Sequence, residues 1–297
     1  MGMLFGACLA RDGNAVTLAD NRYPETVNAI NRRGVTVEEP DGSRFTARLT
    51  AVTNAADAAR ADLFLVFVKT PHTEAALRPL AGRVPTGALV LSLQNGLGNE
   101  ETIARALGRR VTAVLGVTGH TCERTGPGTV RHRESGPTII GLPDDSRPPA
   151  LEAVAATFSA AGIATRTTRH VRDHVWQKLL VNTGINALTA LTGASNGELF
   201  ASPELAANAR RLVAEAAAVA RAERVALPER DPYDLVRAVA EASPSARSTM
   251  LRDMAAGHVT EIDSINGAIV RLGERHGIDV PANRLIAALV RQRHPRP

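Results

Sequence analysis

Four short, almost wholly apolar runs alternate with helix-length segments through the first half of the chain, and this alternation most limits its fold. The runs are residues 16–19, 63–68 in DLFLVFVKT, 88–93 in GALVLSLQNG and 111–117 in VTAVLGVTG. Bounded by Gly, Pro and Asp, they suit strands buried on both faces of a parallel sheet. The segments between them, 24–33, 74–81 and 100–107, have helical character. Strands alternating with helices predict an α/β class with a doubly wound parallel sheet. Residues 129–132 and 138–141 flank a Gly-Pro turn and read as an antiparallel pair. A helix over 151–161 and a strand over 164–168 end this domain.

The pattern then changes. Helix-period segments cover 171–192, 203–224, 231–241, 262–276 and 282–292, with Gly277 and Pro281 as a helix stop and restart. The expected division is therefore an α/β domain over 1–169 and an all-helical domain over 170–297.

Composition removes several classes of function. The net charge is +5, from 35 basic against 30 acidic residues, and aromatics are 3%. Arginines are dispersed without interleaved aromatics, so no nucleic-acid partner is expected. A modest preference for phosphates or carboxylates fits better. Cys8 and Cys122 form neither a disulfide framework nor a metal-ligand spacing. No apolar run reaches membrane-spanning length and no signal-peptide pattern opens the chain, so the expectation is a cytoplasmic protein without membrane partners.

The most informative stretch is VWQKLLVNTGINALTALTGASNGEL. On a helix, Lys178, Asn182 and Asn186 share one stripe about 80° wide. Their neighbours Leu179, Leu180, Val181, Ile185, Leu188 and Leu191 are apolar. Such a helix is buried, and polar groups on it need partners. They either knit structure together or meet a ligand. A second polar cluster, Ser248, Thr249, Glu261, Asp263 and Asn266, lies in SARSTMLRDMAAGHVTEIDSINGAIVRLG. Thr260 followed by Asp263 reads as a capping box, which places Glu261 in a first helical turn.

In LSLQNGLGNE an apolar run breaks at Gln94-Asn95-Gly96, and Lys69 follows the neighbouring run. Ligands of open α/β sheets sit outside the carboxyl ends of the strands, where Asn95 and Lys69 fall. Ordinary turn chemistry also accounts for Asn-Gly. Asp20 and Arg22 end the run VTLAD. In a dinucleotide domain an acid here holds a ribose 2′-hydroxyl and an arginine accepts a 2′-phosphate, so the pair favours neither cofactor.

These blocks resemble the ketopantoate reductases over nearly the whole chain. The resemblance is carried by LFG-x-x-LA, DLFLVFVKT, SLQNGLGNEE, GPGTVRH, WQKLLVN-x-x-IN-x-LTALTG-x-x-NGEL, SxMLRD and TEIDSINGAIV. It implies a Rossmann-type dinucleotide-binding domain followed by a helical substrate domain. It also implies reduction of a 2-oxo acid with NADP, NAD staying open. Lys178 matches the family's catalytic lysine, the general acid, and Glu261 its acidic substrate contact. Asn182, Asn186 and Asn196 match substrate-pocket asparagines, with Ser248 and Thr249 at the position that holds the substrate carboxylate. Asn95, Lys69, Asp20 and Arg22 fall on the cofactor side. A monomer and a homodimer through the helical domain both suit such a chain.

Two departures accompany the resemblance. The resemblance implies 2-dehydropantoate, reduced to pantoate, as the substrate; the family's Asn-x-Ser-Ser-Met is here Ala246-Arg247-Ser248-Thr249-Met250, which removes a possible amide contact and leaves another branched 2-oxo acid as the alternative. Matching MGMLFG to Gly-x-Gly-x-x-Gly makes Gly2 the third glycine, so the sheet is expected to lack its first strand. The expected explanation is a start site placed too late; the alternative is a truncated, non-catalytic carboxylate-binding homologue.

Overall fold

The computed structural model describes residues 1–228 and 231–294. The chain divides into two compact units. The first comprises Met1–Val68, His72–Gln94 and Asn99–Val171; the second comprises Lys69–Pro71, Asn95–Gly98 and Arg172–Pro297.

The first unit is α/β. Its strands are β1 (Thr17–Ala19), β2 (Val35–Glu38), β3 (Arg44–Ala47), β4 (Thr50–Val52), β5 (Leu63–Val66), β6 (Leu89–Ser92), β7 (Thr112–Thr118), β8 (Thr121–Gly126), β9 (Thr129–Glu134), β10 (Thr138–Gly141) and β11 (Thr165–Thr167). Its helices are α1 (Gly2–Arg11), α2 (Pro24–Arg33), α3 (Thr73–Leu77), α4 (Asn99–Leu107) and α5 (Pro149–Ala160). Strands β5, β6 and β7 are parallel and form one side of a five-stranded sheet ordered β11-β10-β7-β6-β5, with β5 at its edge. All four residues of β6 are buried, as a run apolar on both faces requires.

Strand β1 pairs in parallel with β4 in a separate two-stranded sheet. Among the described residues β1 has β4 as its ladder partner and β5 has β6, so the two strands belong to separate sheets. Helix α1 packs on β1, with Gly6 against Leu18, and its Gly2 faces Phe67 just past the end of β5. The cluster around it joins Leu4, Phe5, Leu91, Val114, Ile140 and Phe158. Phe5 is fully buried, its ring 4.9 Å from Phe67 and 5.8 Å from Phe158.

A third sheet, ordered β3-β2-β9-β8, corrects one expectation. Residues 129–132 and 138–141 do not pair. Strand β9 pairs with β8 and β2, whereas β10 pairs antiparallel with β7 and parallel with β11. The chain passes between the sheets at Gly136, whose Cα lies 3.0 Å from where a Cβ on Gly119 would be. Long-range partners decide such pairings, and the four fully buried residues of β10 fit beside β7. Strands β2, β3, β4 and β8 carry too much polar character to be read as apolar runs.

The second unit is helical: α6 (Val171–Thr192), α7 (Asn196–Ala201), α8 (Pro203–Ala222), α9 (Pro232–Ala242), α10 (Thr249–Ala255), α11 (Asn266–His276) and α12 (Pro281–Gln292). Its core joins Trp176, Leu179, Leu180, Leu212, Val236 and Ile269. Alanines 209, 216, 217 and 220 line the buried face of α8, where small side chains let helices approach closely. Among the described residues no helix is long and apolar enough to cross a membrane.

Phe5→Ala should destabilise the first unit by about 3–5 kcal/mol, because it opens a cavity where three aromatic rings meet. Denaturant unfolding measures it, and a loss below about 1 kcal/mol would show that α1 is not a core element.

Candidate active site

The polar residues of the helical unit separate into those that hold structure and those that gather around Glu261. In the first group, Ser248 caps α10 by accepting from the Leu251 amide and also accepts from Thr189 Oγ1 at 2.7 Å. Asn196 ties its loop to the segment before α10, with its amide N–H on the Ala246 carbonyl and its Nδ2 on the Ser243 carbonyl. Asn266 donates to Asn283 Oδ1 at 3.0 Å, and Asn283 donates to Glu215. The capping box in this unit is Ser195 with Glu198, at the start of α7.

The expected capping box at Thr260 and Asp263 does not form. The cap residue of α11 is Ile265, and no side chain caps that end. Thr260 Oγ1 instead contacts His294 Nε2 at 2.8 Å, and Asp263 pairs with Arg291. Glu261 therefore lies in a turn ahead of the helix. That turn is pinned by Ile262 and Ile265, both buried in the core, and by the Ser264 and Ile265 amides on the Glu261 carbonyl. Its geometry leaves the Glu261 side chain 5% exposed.

A carboxylate this buried needs donors and cations. Asn95 Nδ2 donates to Glu261 Oε2 at 3.1 Å, and the Thr70 amide approaches Oε1 at 3.4 Å. Lys69 Nζ lies 3.8 Å from Oε2 and 2.7 Å from Asp253 Oδ2. Lys178 feels the same carboxylate. Burial pushes its ammonium below the ordinary lysine range, and the charge of Glu261 pulls it partly back up. Asn182, one turn along α6, has a buried Nδ2 without a hydrogen-bond partner, the kind of donor that a ligand satisfies. Asn186 is buried another turn on. Thr249 opens α10 and is half-buried.

The Asn95 turn is docked rather than free. Gly96 has φ +81°, and a Cβ there would sit 2.4 Å from the Ser264 carbonyl oxygen. The Leu97 amide donates to that oxygen at 2.8 Å, and Thr70 Oγ1 meets Ser264 Oγ at 2.9 Å. Lys69 and Asn95, expected on the cofactor side, are here in contact with Asp253 and Glu261. Asp253, Thr70 and Ser264 escaped the sequence reading. Asp253 lies inside the block STMLRD, one helical turn beyond Thr249, and that spacing was the available signal.

The remaining candidates lie in the first unit. Asp20 Oδ1 accepts from the amides of Arg22 and Tyr23 at 3.0 and 3.2 Å, so it shapes its own turn. Arg124 stacks over the Tyr23 ring at 4.1 Å and Arg22 lies 5.9 Å from it. Two exposed guanidiniums beside a carboxylate at the carboxyl end of β1 are a donor set that fits a ribose bearing a phosphate. A Cβ at Gly2 would meet Phe67 at 3.8 Å, an ordinary contact, whereas at Gly6 it would lie 3.1 Å from Leu18. Gly6 is therefore the glycine that the packing of α1 on β1 requires. Among the described residues no group of His, Cys, Asp and Glu is arranged to hold a metal.

Residues 1–145 match the family described as ketopantoate reductase PanE/ApbA, and residues 170–294 match its C-terminal region. The chain belongs to the ketopantoate reductase family. The 2-dehydropantoate 2-reductase of Halobacterium salinarum is 40% identical over 98% of this chain and 95% of its own. That of Pyrococcus horikoshii is 32% identical over 98% and 93%. A crystal structure of a PanE/ApbA family ketopantoate reductase from Ralstonia eutropha superimposes with a TM-score of 0.89 at 36% identity, covering 97% of this chain and 93% of that one. A D-mandelate dehydrogenase solved with NADH and anilino(oxo)acetate gives 0.87 at 26% identity, covering 98% and 94%. The family is one of oxidoreductases with a Rossmann-like domain.

Gly96→Ala should cost about 1–3 kcal/mol of stability in the helical unit, through strain and a forced shift away from Ser264. Unfolding followed by the fluorescence of Trp176, the single tryptophan, reads it; an unchanged midpoint would mean the turn is not held as described.

Proposed function

We propose that the chain reduces the ketone of a 2-oxo acid with NADPH, and that its substrate is 2-dehydropantoate, converted to pantoate. The observation that carries this reading is Lys178, a buried lysine facing the field of a buried carboxylate, beside an Asn182 donor that lacks a partner. That combination suits an oxygen that gains negative charge as it is reduced.

A bound nicotinamide dinucleotide would supply the hydride to the ketone carbon. Arg22 and Asp20 would hold its adenosine side, and Gly2 would stand at the start of α1 as the third glycine of the pyrophosphate turn. Lys178 stabilises the charge on the carbonyl oxygen and donates a proton from Nζ to it. Glu261 orients the substrate and keeps Lys178 protonated enough to act. Asn182 and Asn186 donate to substrate oxygens. Thr249 supplies a hydroxyl to the substrate carboxylate, since the Ser248 hydroxyl is already engaged with Leu251 and Thr189. Asn196 acts as a brace for the pocket loop. Lys69 and Asn95 act through Glu261.

A second reading is favoured by Ala246 and by the likeness to D-mandelate dehydrogenase: a reductase of another 2-oxo acid, working with NADH. Ranking kcat/KM over a panel of 2-oxo acids with both cofactors separates the two. Turnover of none of them would leave the non-catalytic binding protein.

Lys178→Met should lower kcat about 10²–10⁴-fold, the range of a general acid, with the fold retained. Activity requires protonated Lys178, so it should fall as pH rises through the pKa of that group. Burial brings the fall to lower pH than an ordinary lysine would give. Glu261→Gln removes the influence that raises this pKa, so the basic limb of the residual activity should move lower still. A limb that stays in place or moves up would exclude Lys178 as the acid.

Arg22→Ala should weaken NADPH binding about tenfold or more while leaving NADH binding nearly unchanged, the loss expected of one charge-assisted contact. Fluorescence titration measures both. Equal losses for the two cofactors would remove Arg22 from the 2′-phosphate.

A further inference from the structure

The reaction as proposed assigns no part to Asp253, yet its carboxylate makes a close ionic contact with Lys69 in the Glu261 cluster. Asp253 is on α10, its side chain 15% exposed, with Oδ2 2.7 Å from Lys69 Nζ. The same ammonium stands 3.8 Å from Glu261 Oε2, and that oxygen carries the Asn95 hydrogen bond at 3.1 Å. A charge-assisted N–H···O contact closes at about 2.8 Å, so Lys69 is held roughly 1 Å short of Glu261. Asp253 competes with Glu261 for this ammonium, and at 2.7 against 3.8 Å it holds the nearer contact.

We infer that Asp253 is a positioning residue: by holding the Lys69 ammonium it keeps Lys69 from closing onto Glu261, which leaves Glu261 to Asn95 and Lys178. The residue types support this: two lysines, Lys69 and Lys178, face two carboxylates, Asp253 and Glu261. Without Asp253 the flexible lysine stem lets Lys69 take Oε2 directly. Asn95 is then displaced, and a second ammonium closing on Glu261 adds positive potential that offsets part of the carboxylate's influence on Lys178. The loss falls on the reacting arrangement rather than on the binding of either ligand.

The inference rests on the proposed 2-oxo-acid reduction, and a mutant cycle tests it with Asp253→Asn, Lys69→Met and the double variant. Steady-state kinetics with 2-dehydropantoate and NADPH, and NADPH binding by fluorescence, are the readouts. Asp253→Asn alone should lower kcat about tenfold or more, with KM and the NADPH dissociation constant within about threefold. In the Lys69→Met background the same change should cost nothing, or restore activity, because Lys69 is no longer there to be restrained and an unpaired carboxylate is removed. Full kcat in Asp253→Asn, or an equal loss in both backgrounds, would overturn the inference. If Asp253→Asn does not fold but the double variant does, the coupling through Lys69 stands; if neither folds, Asp253 is structural and the inference fails. If the unsubstituted chain reduces no 2-oxo acid, the functional reading fails by itself. The cycle is then read on unfolding midpoints, where a lowering by Asp253→Asn that vanishes in the Lys69→Met background supports the coupling and equal lowering in both overturns it.

Discussion

A buried carboxylate must be met by donors and cations or it does not stay ionised, and in the helical unit that requirement shapes everything around Glu261. The turn that carries it is held by Ile262 and Ile265 in the apolar core and is locked from outside by Gly96 and Leu97 on the Ser264 carbonyl. This docking brings Asn95 to one carboxylate oxygen and Thr70 to the other. It also places Lys69 where Asp253 and Glu261 compete for one ammonium. Chemistry and packing are the same feature here. A shift in the turn would move the carboxylate away from its donors and alter the field at Lys178.

The first unit rests on a different constraint. Helix α1 has Phe5 at the meeting point of three aromatic rings, in a chain with only 3% aromatic residues. It packs on β1 through Gly6 on Leu18 and meets Phe67 through Gly2, and its apolar residues share one cluster with Leu91, Val114 and Ile140 of the five-stranded sheet. Asp20 fits that picture, since it shapes its own turn and leaves Arg22 and Arg124 to present positive charge beside Tyr23.

The parallel strands and the long α6 helix were legible in the sequence because their patterns are local. Apolar runs two-face buried and a 22-residue periodic helix announce themselves. The pairing of residues 129–132 with 138–141 was misread because adjacency in sequence suggested a hairpin, while the partners of β10 lie on β7 and β11. The capping box at Thr260 and Asp263 was misread for a related reason. Spacing alone cannot tell a cap from a turn whose threonine reaches His294 and whose aspartate reaches Arg291, both about thirty residues away. Asp253 was hidden because an aspartate on a short helix carries no local mark of a lysine 184 positions earlier.

By itself the sequence determined the alternation of strands and helices, the all-helical second half, the stripe of Lys178, Asn182 and Asn186 on one face, and the family. Each of these depends on periodicity or on runs of residues, which local chain geometry translates directly. Only the tertiary structure decided that Ser248 bonds to Thr189 and Leu251, that Asn196 bonds to the Ser243 carbonyl, that Asn95 and Lys69 meet Glu261, and that Asp253 contacts Lys69. Those facts depend on which distant segments share a core and on a positive-φ glycine that fits against one carbonyl. Hydrogen bonds and ion pairs reach about 3–4 Å, so residues far apart in the chain acquire partners only when folding brings them that close.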